Sequence, residues 1–294
     1  SIKKCVLIRL HAPKILLQKS LKFAQIRRNF WKYGEYGHSK EGLTIMRVLL
    51  HLRADHPIEL PVNYQEQLIG FMYSNISDES YRTFLHEQGY TYRSRTYKHF
   101  AFSRILGESK YTPSRKAIVF SPAFSLLVAS PLERFLQEFA RSMLFSDHLR
   151  IGPHRVRLES FETLPEPNPF PDAVRIRMLS PIVIYSTLSH PNGTKYTYYY
   201  SPYHEQFSSM IETNLKRRYL SLYPDTPHLE QSPFKIRPLQ VNKKDKVITR
   251  FRGIIIEGWM GEYEVTGDPR LLGLAYHTCL GSKGSQGFGV FELI

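Results

Sequence analysis

Cysteine is nearly absent from this 294-residue chain, which has only Cys5 and Cys279, too few and too far apart for a disulfide framework or a thiolate zinc site. Uninterrupted apolar sequence is missing too. The best early run, Cys5 to Ile8, is cut by Arg9, His11 and Lys14, far short of the roughly 20 residues that a membrane-spanning helix needs. No His, Asp or Glu cluster has metal-ligand spacing, so neither metal nor cofactor is expected. Acidic residues are scarce: 26 Asp and Glu face 40 Lys and Arg, a net charge of +14. Such an excess points to a polyanionic partner, RNA or DNA before an anionic membrane surface. What the chain has in plenty is apolar and aromatic sequence, 42% hydrophobic and 13% aromatic, enough for packed cores and against wholesale disorder.

Charge is unevenly spread. Residues 1–45 carry ten Lys and Arg against Glu35 and Glu41, and a fresh strand pattern opens at Met46. The segment 1–45 therefore reads as a basic N-terminal extension outside the folded body, a solvated or weakly helical tail in preference to an extra RNA-binding arm. From there Met46–Arg53 predicts a strand, and a helix is expected from Pro61 with Leu68, Phe71, Met72 and Ile76 at helical spacing. Strands are expected at Tyr97–Ile105 and Lys116–Phe120. Ser130-Pro131-Leu132-Glu133 has the spacing of a capping box and opens a helix with Phe135, Leu136, Phe139 and Met143 on one face. A strand at Val156–Thr163 closes a β-α-β-β-α-β unit over 46–163, a ferredoxin-like domain.

Four prolines in 164–171 form a linker. Beyond it, 172–294 repeats the pattern. A strand at Val174–Met178 leads to a hairpin turning at Asn192-Gly193, then to a helix carrying Phe207, Met210, Ile211 and Leu215 that ends in Lys216-Arg217-Arg218. Strand-rich sequence follows from Lys235 to Val265. A last helix opens at Asp268-Pro269 and stops at Gly281, and a strand at Phe288–Ile294 ends the chain. The fold class is α+β: two tandem ferredoxin-like (RRM-like) domains behind a basic extension.

The most specific string is the glycine-rich loop 281–289, Gly281-Ser-Lys-Gly284-Ser-Gln-Gly287-Phe-Gly289. Phosphate-binding loops of nucleotide enzymes run strand, loop, helix; here the predicted order is helix, loop, strand, and no Lys-Ser or Lys-Thr follows the glycines. Two readings stay open: a backbone that approaches an RNA phosphate closely through Gly281, Lys283, Gly284, Ser285, Gln286, Gly287, Phe288 and Gly289, or a tight helix-to-strand connection. Gln286-Gly-Phe-Gly-Val-Phe-Glu-Leu also resembles the aromatic RNA-binding octamer of RRM domains, with Gln in place of a basic residue.

Together with Gly258-Trp-Met-Gly261, Gly267-Asp-Pro, Leu179-Ser-Pro-Ile-Val, the opening strand and Leu85-His86-Glu87, the loop resembles the CRISPR-associated repeat-RNA endoribonucleases of the RAMP superfamily, over essentially all of 46–294. The resemblance implies cytoplasmic, metal-independent cleavage of precursor CRISPR RNA, in which a ribose 2′-hydroxyl attacks the adjacent phosphate and leaves a 2′,3′-cyclic phosphate and a 5′-hydroxyl. It also implies where the catalytic residues fall: His86 as general base or acid, Tyr73 as an orienting or proton-donating hydroxyl, and Lys98 as the cation beside the phosphorane. Tyr90, Tyr92, Arg93, Arg95, Tyr97 and His99 are substitutes within reach. Phosphate contacts are expected from Arg175, Arg177, Lys216, Arg217, Arg218, Lys235 and Arg237. The implied partner is CRISPR repeat RNA; other effector subunits and a homodimer are compatible with the family, a membrane is not. The competing readings are a RAMP-type RNA-binding subunit without catalysis and a generic RRM-like RNA chaperone or regulator.

Overall fold

Alternation of apolar and polar residues builds the first sheet. The computed structural model describes residues 7–9, 47–146 and 148–294. β1 is Leu7–Arg9 and β2 is Arg47–Ala54, which buries Val48, Leu50, Leu52 and Ala54 on one face. After β3 (Ile58–Pro61) comes α1 (Gln65–Ser74), so the helix starts four residues later than expected. Ile58 and Leu60 point inward with period two, and Pro61 ends an edge strand, a place where a missing N–H costs no ladder bond. α2 (Glu79–Thr83) runs into one turn of π-helix at Phe84–Gln88. Then follow β4 (Tyr90–Tyr92), β5 (Arg95–Tyr97), β6 (Ala101–Phe102), β7 (Ser109–Thr112), β8 (Ala117–Phe120) and β9 (Ala123–Ala129). α3 (Glu133–Phe145), β10 (Leu149–Ile151) and β11 (His154–Thr163) complete the half.

The central strands are ordered β11-β2-β9-β6, all antiparallel, with β1 added outside β11. This is the strand order of a ferredoxin-like unit. Three residues of the basic extension thus join the sheet, Leu7–Arg9 against Ser160–Glu162; the rest of 1–45 lies outside the described residues. Two expected strands are corrected. Lys116–Phe120 contributes β8 to a separate three-stranded sheet with β3 and β7, and β9 takes its place in the main sheet. Of Tyr97–Ile105 only Ala101–Phe102 pairs with β9, because His99 adopts φ of 54° and breaks the extended run. Nor is Ser130 the cap of α3. Its hydroxyl donates to the His99 carbonyl at 2.7 Å and accepts from Leu132 N–H, so the helix begins at Glu133 behind Leu132. The core holds Phe71, Phe100, Phe135 and Phe139, with Phe100 and Phe135 stacked at 4.7 Å; burying each ring contributes about 1.5–3 kcal/mol.

Residues 164–171 form no helix or strand. The second half runs β12 (Ala173–Met178), β13 (Tyr185–Ser189), β14 (Lys195–Tyr199), α4 (Phe207–Leu220), β15 (Phe234–Gln240), β16 (Lys246–Phe251), β17 (Ile254–Trp259), β18 (Glu262–Gly267), α5 (Pro269–His277) and β19 (Phe291–Leu293). Its sheet order, β15-β18-β12-β19, is again ferredoxin-like. The Asn192-Gly193 turn joins β13 to β14 as predicted. A second inserted hairpin, β16–β17, lies inside the strand-rich run and turns at Arg252-Gly253, both with positive φ. Asp268 caps α5 by accepting from Arg270 N–H. The two halves meet through Ala101, Leu127 and Ala129 on one side and Cys279 and Val290 on the other. Buried Arg47 donates to the Phe291 carbonyl at 2.5 Å with its guanidinium 4.0 Å from the Tyr276 ring centre, and desolvation holds it down at about 10. No helix among the described residues is long and apolar enough to cross a membrane.

Candidate active site and RNA cleft

Tyr73 stands on the last turn of α1, held edge-on by Phe100 with ring centres 5.6 Å apart. The π-turn after α2 carries Leu85 inward and leaves His86 exposed, its ring 5.2 Å from that of Tyr73 and nearly perpendicular to it. The turn ends at Gly89, whose φ of 68° reverses the chain into the β4–β5 hairpin. That hairpin returns Lys98, whose ammonium donates to the His86 carbonyl at 3.0 Å. Three residues separated by up to 25 positions are thus gathered on one spot.

Burial pushes the Tyr73 phenol up to about 12, so at neutral pH it is a protonated donor. Burial lowers the Lys98 ammonium from its ordinary value. Gly89 is indispensable to the arrangement: a Cβ there would stand 2.7 Å from the Tyr97 carbonyl and 3.0 Å from the Lys98 side chain. We expect Gly89→Ala to leave RNA affinity within about twofold while slowing single-turnover cleavage about tenfold or more, since catalytic groups tolerate little displacement. Undiminished cleavage would show that Lys98 need not sit where it does.

Lys98 also lines a cleft of about 730 Å³ between the two halves. Around it stand Arg95, Arg217, Arg218 and Lys283, with no Asp or Glu among the lining residues. Such a cleft concentrates field for a phosphate chain. Lys283, the loop's only charge, lies 5.2 Å from the Tyr185 ring centre, and burial lowers its ammonium. Arg218 is buried and organises the loop rather than facing solvent. Its guanidinium donates to the carbonyls of Cys279 and Gly281, to Thr278 and to Asn214.

The glycine loop runs helix, loop, strand as predicted, with a single 3-10 turn at Gly284–Gln286. Lys283, Gly284, Ser285 and Gln286 line the cleft, whereas Gly281, Gly287, Phe288 and Gly289 are buried. Gly287 is pressed against the Phe102 ring, where a Cβ would lie at 2.6 Å. The buried glycines make the tight helix-to-strand connection, while Lys283–Gln286 are the part of the loop that faces the cleft. The likeness to an RRM octamer fails in one respect: Phe288 and Phe291 are 1% and 3% exposed, inside the fold, and offer no stacking surface to a base.

The remaining expected phosphate contacts divide. Arg217 lines the cleft. Lys216 is tied to Glu212 at 2.6 Å and to the Glu230 carbonyl. Arg175, Arg177, Lys235 and Arg237 share the outer face of the second sheet, away from the cleft lining. There Arg177 pairs with Glu262 and Glu292, and Arg237 with Glu264, so two of the four cations are already neutralised across strands. The sequence reading missed Tyr185, Asn214 and Ser282 as cleft residues. Tyr185 carried a faint signal, since it opens a hairpin dense in tyrosine.

Two tandem ferredoxin-like units share a basic cleft, and the fold has solved counterparts. A solved structure titled "An RAMP protein binding different RNA substrates" superposes with a TM-score of 0.70 at 21% identity, over 85% of this chain and 99% of that one. Another, titled "CRISPR associated protein Cas6", gives 0.68 at 22% identity with the same coverage of each chain. Residues 164–293 match the family model "CRISPR associated protein Cas6, C-terminal". The whole body is similar to "CRISPR-associated endoribonuclease Cas6 1" of Methanocaldococcus jannaschii, 25% identical over 83% of this chain and 91% of that relative. It is also similar to "CRISPR-associated endoribonuclease Cas6" of Pyrococcus furiosus, 26% identical over 84% and 90%.

Proposed function

We propose that this chain is a metal-independent endoribonuclease that cuts CRISPR repeat RNA in precursor transcripts. The observation that carries the reading is the convergence of Tyr73 and His86 on Lys98, which itself lines a cationic cleft free of acidic lining residues. In the step proposed, a ribose O2′ forms a bond to the adjacent phosphorus while the bond from phosphorus to O5′ breaks. The 2′-hydroxyl proton goes to a base, the leaving O5′ receives one, and the products are a 2′,3′-cyclic phosphate and a 5′-hydroxyl. The exposed imidazole of His86, with two ring nitrogens that can give or take a proton, serves as general base or acid. The Tyr73 hydroxyl, kept protonated, donates or orients, and Lys98 places positive charge beside the phosphorane. Cleft residues Arg217, Lys283 and the Gly284–Gln286 turn hold the strand. Such a protein works in the cytoplasm, where transcripts are processed, alone, as a homodimer or beside other effector subunits.

Incubation with end-labelled repeat RNA in EDTA is the direct test. Cleavage at one position is expected, at a rate unchanged by the chelator. A retarded but intact RNA would instead favour a binding subunit, and loss of cutting in EDTA would favour a metal nuclease.

The pH profile tests the role of Lys98. Its cationic form is the useful one, and burial lowers the pH at which that form is lost, so the alkaline fall in single-turnover rate comes below the 10.5 of an ordinary lysine. Lys98→Arg, whose guanidinium stays charged, is expected to shift that fall to higher pH. An identical alkaline limb in the variant would remove Lys98 charge from the mechanism.

A further inference from the structure

His99 is 4% exposed, yet it lines the cleft beside Lys98. Desolvation, assisted by the neighbouring Arg218 charge, holds its imidazolium form down at about 3, so the ring is neutral at any pH the protein meets. A neutral imidazole has one N–H and one lone pair, and the hydrogen bonds decide which nitrogen has which. The ring Nε2 lies 2.8 Å from Ser221 Oγ. That hydroxyl spends its own proton on the Arg218 carbonyl at 2.7 Å, so toward His99 it can only accept. The N–H must therefore be on Nε2, and Nδ1 is a bare lone pair, buried and without a partner.

A second buried acceptor without a partner, Gln286 Oε1, belongs to the glycine loop on the same cleft. Two lone pairs removed from water and left unmade are costly, and each calls for a donor. Phosphate offers none. Within an RNA, a 2′-hydroxyl or a ring imino group carries one hydrogen, whereas an exocyclic amino group carries two and suits two acceptors.

We propose that the cleft is a nucleotide subsite in which His99 Nδ1 and the Gln286 carbonyl accept hydrogen bonds from the exocyclic amino group of one RNA base. The inference rests on the RNA-cleaving reading and adds a specificity determinant to it. Adenine, cytosine or guanine fits, while the carbonyl edge of uracil would set oxygen against lone pair and is rejected.

The test pairs base and protein changes. Each amino-bearing base of the repeat RNA is replaced in turn by its analogue without the amine, purine riboside for adenosine, zebularine for cytidine and inosine for guanosine. Binding is then measured to the full-length protein, to His99→Phe, which keeps a ring but loses the acceptor, and to Gln286→Leu, which leaves the buried histidine intact. One position is expected at which the wild type loses about tenfold in affinity and the variants lose nothing more than they have already lost on the unmodified RNA. The proposal is overturned if no position couples to either variant, or if the coupled change is instead 2′-deoxy substitution or N3-methylation of a uridine. Failure to bind or cut any repeat RNA would sink the endoribonuclease reading itself, whereas normal cutting without base coupling would sink only the subsite.

Discussion

His86→Ala is expected to slow single-turnover cleavage of repeat RNA by about 10²–10⁴-fold, the range that positioned general acid–base groups supply, while leaving binding within about twofold. The separation follows from placement. His86 is exposed on the π-turn beside Tyr73, outside the lining of the cationic cleft, so its removal withdraws a proton carrier without removing a phosphate contact. It also supports little of the fold: the turn is anchored by buried Leu85 and by Gly89 N–H bonding to the Phe84 carbonyl at 2.7 Å. Lys98 bonds the backbone carbonyl of residue 86, not its ring, and that contact survives the change. A variant that cuts at the wild-type rate would remove His86 from the chemistry, and one that neither binds nor cuts would show that the residue serves structure.

Gly287→Val is expected to have the largest effect on stability, lowering it by several kcal/mol and leaving little folded protein. Overpacking a close-packed site costs about 1–3 kcal/mol, and a β-branched residue at positive φ adds about 1–3 kcal/mol of backbone strain. Both penalties apply here, since φ is 84° and the new Cβ would meet Phe102 at 2.6 Å with no flexible side-chain end to yield. Phe102 is 0% exposed and belongs to β6, the edge strand on which the loop rests. Thermal melting checks the expectation, and adding Phe102→Leu to Gly287→Val should recover part of the loss. A melt like that of the wild type would mean that the loop is free to move away from β6, contrary to the packing described.

The sheet strands β2 and β12, and β11 up to its irregularity at Leu158–Ser160, were legible because apolar and polar residues alternate, one face buried and the other solvated. The four longer helices were legible from their apolar stripes, whereas the short α2 and the π-turn behind it were not. Both ferredoxin-like units followed from the order of these elements, and the strand orders of the two sheets agree with it. Misread elements share a physical cause, the dominance of tertiary contacts over local pattern. β8 is as apolar as β9, and only pairing with β3 and β7 assigns it elsewhere. Ser130 has every local feature of a cap, but its hydroxyl is claimed by the His99 carbonyl from across the chain.

For the site, the family resemblance named Tyr73, His86 and Lys98, and the fold brings them together, though nothing in their spacing of 13 and 12 residues implies it. The basic patch was harder. Charge is visible in a sequence but its neutralisation is not, so Arg177 and Arg237 looked as available as Arg217 until Glu262, Glu292 and Glu264 were placed opposite them. Phe288 likewise reads as a stacking aromatic by motif and is packed in the interior instead. The acceptor state of His99 is legible only from a three-group chain of hydrogen bonds through Ser221 to Arg218.

The central claim is that a ribose hydroxyl, helped by side chains alone, breaks its own strand. Mass spectrometry of the fragments made from repeat RNA by purified protein in EDTA measures this most directly. The account predicts a 2′,3′-cyclic phosphate on every upstream fragment and a 5′-hydroxyl on every downstream one. A 5′-phosphate paired with a free 3′-hydroxyl would mean that water, not the ribose, was the nucleophile, and would contradict it.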